Sequence, residues 1–192
     1  MKLNKKHALL ISVVATLMIL CTVAGATLAY LFTQTTSVVN TFSPSDITLT
    51  LTETATTNGS ATANSYQMIP GTTISKDPKV TVTANLACYV FVKIEKSTNF
   101  DDFMQFAIAD GWTALAGETN VYYREVTSAN NTDYPIIAGN TVTVKSNVTK
   151  SMMSNLTSNP TLIFTAYAVQ KAGFNTAVDA WPTALAQANP TT

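Results

Sequence analysis

The hydrophobic positions of this chain follow two regimes. From Ala8 to about Val23 they run almost unbroken, and beyond residue 46 they mostly alternate. Ile47-Thr48-Leu49-Thr50-Leu51-Thr52 alternates strictly, which predicts a half-buried strand with threonines on the open face. Val80-Thr81-Val82-Thr83 and Thr141-Val142-Thr143-Val144-Lys145 repeat that pattern, and Val121 to Val126 is a further strand. The runs Cys88 to Ile94 and Thr161 to Val169 are apolar on both faces, so each is expected to be a central strand. A shorter strand is expected within Gly111–Leu115.

Turn residues separate these runs: Asn58-Gly59-Ser60, Pro70-Gly71 and Ala138-Gly139-Asn140. Two segments read as short capping helices. Asn99 to Phe106 has acids at its start and Phe103 and Phe106 three apart. Phe174 to Ala188 puts Val178, Trp181 and Leu185 on one face, with Pro182 expected near a helix start or at a kink. Residues 54–66 are polar and of low complexity, and read as an exposed loop with nothing to bury. The fold class expected is all-β, a β-sandwich with one or two short capping helices.

The unbroken apolar run has a different meaning. Lys2, Lys5 and Lys6 precede it, and the small residues Ala24 to Ala29 follow it, which is the order of a secretory signal peptide. Cleavage is expected between Ala29 and Tyr30, with Ala26 and Thr27 as the alternative pair. Left uncleaved, the run is long enough to anchor the chain in a membrane. With cleavage after Ala29, residues 1–29 are the signal peptide, 30–45 an N-terminal segment, and 46–192 the sandwich domain. The whole chain has eleven basic and eleven acidic residues, but the signal takes three lysines and the only histidine, His7, with it. Eight basic and eleven acidic residues remain, with a single cysteine, Cys88, and a chain in which thirty-three of 192 residues are threonine. Without a basic excess, nucleic-acid binding is not expected.

Candidate chemistry is sparse. A chain without histidine after residue 29 offers no Ser-His-Asp triad, no Cys-His pair and no H-E-x-x-H zinc site. Cys88 lies in an apolar run and reads as a small buried hydrophobe. Asp101, Asp102 and Asp110 read as helix-start and loop acids rather than a calcium cluster. Ser75-Lys76 are adjacent, so on a strand they face opposite ways. Glu95 between Lys93 and Lys96 reads as a solvated strand end. Asn58, Asn130, Asn147 and Asn155 open N-x-S/T sequons. No catalytic residue, metal ligand or cofactor is expected, which favours a structural, adhesive or binding role.

The order of segments resembles the TasA/camelysin family of exported proteins from Gram-positive bacteria, which use a SipW-type signal peptidase. Thr27 to Phe32 closing the signal, then Asn40-Thr41-Phe42 and the strand Asp46–Glu53, is similar to the start of that family. Pro70 to Asp77, the strand Lys79–Thr83, Asn85 and the strand Tyr89–Lys93 resemble its core, and Ala166 to Gln170, Phe174 and Ala180-Trp181 resemble its closing segment. The resemblance implies a jelly-roll sandwich preceded by a signal helix, cleavage after Ala29, and self-association into extracellular, cell-surface associated biofilm fibres. In such fibres the freed N-terminal segment inserts as a donor strand into the next subunit. Here that segment is about Tyr30 to Phe42; Leu31, Val38, Val39 and Phe42 are apolar, and none of its residues is charged. The same strand folding back on its own sheet is the competing expectation. Camelysin-type relatives are called metalloproteases, so a secreted metalloprotease is one alternative; a monomeric cell-surface binding module is another.

Overall fold

The structure is a computed structural model that describes residues 46–55 and 59–188, with isolated positions Asn4, Val13 and Val14 before them. The chain divides into two units, residues 1–43 and 44–192, and every described strand belongs to the second. The cleavage positions Ala29 and Tyr30, the alternatives Ala26 and Thr27, and the donor residues Leu31, Val38, Val39 and Phe42 lie outside the described residues.

The second unit is mostly β, and all its strand pairings are antiparallel. The first sheet has the order β1-β3-β8, from β1 (Ile47–Thr52), β3 (Lys79–Ala84) and β8 (Ala129–Pro135). The second has the order β10-β4-β7-β6, from β10 (Leu162–Gln170), β4 (Cys88–Lys96), β7 (Val121–Val126) and β6 (Thr113–Ala114). A small third sheet, β2-β9-β5, joins β2 (Thr73–Ser75), β9 (Thr141–Val144) and β5 (Met104–Gln105). Among the described residues three α-helices, α1 (Phe100–Phe103), α2 (Lys150–Ser154) and α3 (Ala177–Ala188), and a 3-10 turn at Ala138–Asn140 complete the unit.

β4 explains how the layers stack. One of its faces, Cys88, Val90, Val92 and Ile94, packs against Val80, Val82 and Ala84 of β3, so the first two sheets share a core. The other face, Tyr89 and Phe91, is covered by Ala177, Ala180, Trp181 and Ala184 of α3. A strand covered on both sides must be apolar at successive positions, which is the pattern read from its sequence. The Trp181 ring lies 5.1 Å from Phe91 and 5.2 Å from Tyr167. Its Nε1 is buried without a hydrogen-bond partner.

Several expectations are corrected. β10 is not central: among the described strands it pairs with β4 alone and forms a sheet edge. Its apolar composition reflects two covered faces, not two bonded neighbours. The buried stripe of α3 is Ala177, Ala180, Trp181 and Ala184, while Val178 points outward, 47% exposed. Pro182 lies inside that helix, which a reciprocal cap between Thr176 and Asp179 starts. The helix at Asn99 stops at Phe103, because Met104 turns extended to pair with Val144. The strand β8 (ANNTDYP) was not foreseen, since its residues carry turn signals and little β propensity. Arg124 stacks on Trp112 and on Tyr134 of β8, and so clips the two main sheets together. It also donates to the Gly111 carbonyl at 3.0 Å, and a side chain at Gly111 would collide with it.

Candidate functional site

Among the described strands β10 pairs with β4 alone, so its other edge, built from nine uncharged residues, LIFTAYAVQ, has no described ladder partner. Ser97 N–H donates to the Thr161 carbonyl and Lys171 N–H to the Ala87 carbonyl, which fixes the alternation of the ladder. Odd positions of β10 therefore bond to β4, and the backbone groups of Leu162, Phe164, Ala166 and Ala168 face away from it. β1 has the matching property in the first sheet, pairing with β3 alone. The two strands run side by side, with Cα atoms within 8 Å at several positions, yet share no ladder. β1 is an alternating strand and β10 an apolar run, and neither carries Pro or charge, the features that normally guard an edge.

Where the C-terminal end of β1 and the start of β10 meet, they open into a groove of about 900 Å³. Leu51, Phe164, Leu162, Phe100, Val142 and Ile74 make its walls apolar, and Met68, Met104 and Met153 line it as well. Unbranched thioethers adapt to varied shapes, so such a wall tolerates different apolar occupants. Ile163, at its lip, is 54% exposed. The third sheet builds the far wall: α2, capped by Thr149, which accepts from Met152 N–H at 3.2 Å, brings Met152, Met153 and Leu156 against Val144 and Phe103.

One end of the groove is polar. The Glu53 carboxylate accepts from Lys76 Nζ at 2.8 Å through Oε2 and from Asn64 Nδ2 at 2.6 Å through Oε1. The Glu53 and Lys76 side chains are 9% and 12% exposed, so the pair is largely removed from water. Removing one member of such a pair costs about 3–5 kcal/mol where burial is complete, because the other charge is stranded. The ammonium lies 5.1 Å from the centre of the Tyr66 ring and 5.7 Å from that of Phe164. Tyr66 is hydrogen-bonded to Glu53; burial first, then the negative charges of Glu53 and Asp77, push its hydroxyl up to about 12. Thr54 donates to Asp77 from its N–H at 2.9 Å and its hydroxyl at 2.6 Å. Burial alone would raise the Asp77 carboxyl; these bonds outweigh it, and the net shift is downward. The stretch expected to be an empty loop thus contributes Asn64 and Tyr66 to a built cluster. The signal available in the sequence was a tyrosine and an asparagine after a run of Thr, Ala and Ser, too common to single out.

The remaining candidates are dispersed. Cys88 is fully buried and burial pushes its thiol up, as suits a small apolar filler. Asp101 pairs with Lys96 at 2.7 Å, while Asp110 offers its backbone carbonyl to Arg124. Lys93 and Glu95 pair on the exposed surface at 3.0 Å. Among the described residues no group of three His, Cys, Asp or Glu could hold a metal ion, and no helix is long and apolar enough to cross a membrane. Comparison with protein-family models, with curated proteins and with solved structures gives no match.

Proposed function

We propose that this chain is an exported structural protein, a subunit of an extracellular, cell-surface fibre assembled by strand donation. In this reading residues 1–29 are a signal helix removed by a SipW-like peptidase, after Ala29. The main sheets form a jelly-roll-like sandwich, and residues 30–45 carry the donor strand. The observation that supports it most is the flank formed by β1 and β10, two unguarded edges that open on an apolar groove. A strand added at such an edge gains backbone hydrogen bonds, and alternate side chains find pockets. The segment Tyr30–Phe42 suits that role because it is uncharged and carries Leu31, Val38, Val39 and Phe42.

The flank also sets a condition. A strand lodged between two others holds them about 9.5 Å apart, twice the usual spacing. β1 and β10 approach within 8 Å, so an incoming strand must widen the seam rather than fill a ready slot. Assembly should therefore show a lag that preformed fibre ends remove. Electron microscopy of residues 30–192 beside residues 43–192 tests the reading. Filaments from the first and monomers from the second are expected; a longer form that stays monomeric under all conditions overturns it.

A further inference from the structure

The polar end of the groove holds more than an ion pair. An ion pair needs a carboxylate and an ammonium; here the second oxygen of the same carboxylate holds a side-chain carboxamide. Glu53 bridges Lys76 Nζ at 2.8 Å and Asn64 Nδ2 at 2.6 Å. The surroundings are apolar and aromatic, with the Tyr66 and Phe164 rings within 5.1 and 5.7 Å of the ammonium. Little water reaches the pair, whose side chains are 12% and 9% exposed. A largely buried amine and proton acceptor, with a half-buried carboxamide on the same carboxylate, are the components of an amide exchange.

We propose that Lys76 and Asn64 join in an intramolecular isopeptide bond, with Glu53 carrying the protons. In the exchange Glu53, already in contact with the Lys76 ammonium, takes one proton from Nζ. The freed Nζ attacks Cγ of Asn64, and a Nζ–Cγ bond forms. Glu53, now a carboxylic acid, protonates Nδ2, and the Cγ–Nδ2 bond breaks. The nitrogen lost by Asn64 takes up the protons given up by Nζ and leaves as ammonium. Glu53 ends as the carboxylate it began as, and no oxidant or other reactant is consumed. The shared carboxylate places the amine and the carboxamide side by side, and the exchange requires Nζ to close the remaining distance to Cγ. The product is a covalent tie between the 59–66 loop and the segment after β2, so that this wall of the groove cannot open separately from the sheet behind it.

Intact mass spectrometry of the purified full chain, read against the sequence after any signal removal, tests this directly. The folded protein is expected to be lighter by one ammonia, with the bond after Lys76 resistant to trypsin. Asn64→Asp should form the same amide and be lighter by one water. Lys76→Arg and Asn64→Ala should keep their full mass. Two results overturn the proposal. One is full mass in wild-type protein that melts cooperatively and has been incubated long after folding. The other is an ammonia loss that persists in Lys76→Arg, which marks a cyclic imide at Asn64-Ser65 instead of a crosslink.

Discussion

The strands β8 and β10 are both edges, one in each main sheet, and they are finished in opposite ways. β8 carries Asn130, Asn131, Asp133 and Pro135. Its ladder with β3 slips between Val82 and Ala84, Asn131 takes a left-handed φ of 50°, and Thr83 Oγ1 satisfies the Asn131 N–H. Asp133 accepts from Lys79 Nζ and from Thr81 Oγ1, both at 2.6 Å. A bulge, a charge and a proline together discourage any further strand. β10 has none of these. Edges are costly to leave open, so the guards on β8 and their lack on β10 set the two strands apart, and the strand-donation proposal draws on that difference.

Mutations sharpen that contrast in order of their expected size. The largest effect is on the support beneath β10. Phe91→Ala removes the ring packed between Trp181 and Tyr123 and should cost about 3–5 kcal/mol in urea unfolding. A value near zero would mean that α3 and β4 do not carry the flank. Next is the edge itself. The Ala166 N–H faces away from β4, so Ala166→Pro should cost only about 1 kcal/mol while abolishing filaments seen by electron microscopy. Thr165→Pro should be the more damaging of the two, because its N–H belongs to the β4 ladder. Ile163→Lys places a charge at the lip of the groove and should change stability by less than about 0.5 kcal/mol while slowing assembly. The reverse change, Asp133→Val, should create a second adhesive edge, read as branching or amorphous light scattering, with little change in stability because the pair it breaks is exposed.

The two flanks should also separate at the extremes of pH. Hydrogen bonds from Lys79 and Thr81 hold the Asp133 carboxyl below its usual 3.8. The unfolded chain therefore takes up that proton first, and the contribution of this site fades as pH falls into the acid range. Tyr66 behaves oppositely. Its hydroxyl is pushed from 10.0 to about 12, so the unfolded chain loses the proton first. Its contribution is intact below pH 10 and is lost between 10 and about 12. Thermal melts across that alkaline window should fall more steeply for wild type than for Tyr66→Phe; equal slopes would remove Tyr66 from the cluster.

Much of the framework was legible in the sequence. β1, β3 and β9 announced themselves by alternation, β4 by its unbroken run and β7 by its β-branched and aromatic residues, since a period of two maps directly onto one or two buried faces. What alternation cannot report is hydrogen bonding, so the same apolar signal made β10 look central when it is an edge. β8 escaped because an edge built to be unattractive is made of residues that disfavour strands. β2 and β5 escaped because two or three residues carry no period. In α3 the heavier side chains pointed to Val178, yet the close approach to Tyr89 and Phe91 is made by alanines, whose small size lets the helix settle on the sheet.

The sequence by itself determined the all-β class, the scarcity of charge after residue 29, and the lack of any histidine beyond His7, because these depend on composition and local period. The tertiary structure decided which strands are edges and where the groove lies. It also decided that Glu53, Asn64, Tyr66 and Lys76, spread over the chain from the end of β1 to the residue after β2, meet around one carboxylate. That meeting is set by the register of long-range pairings, and no short window of sequence contains it.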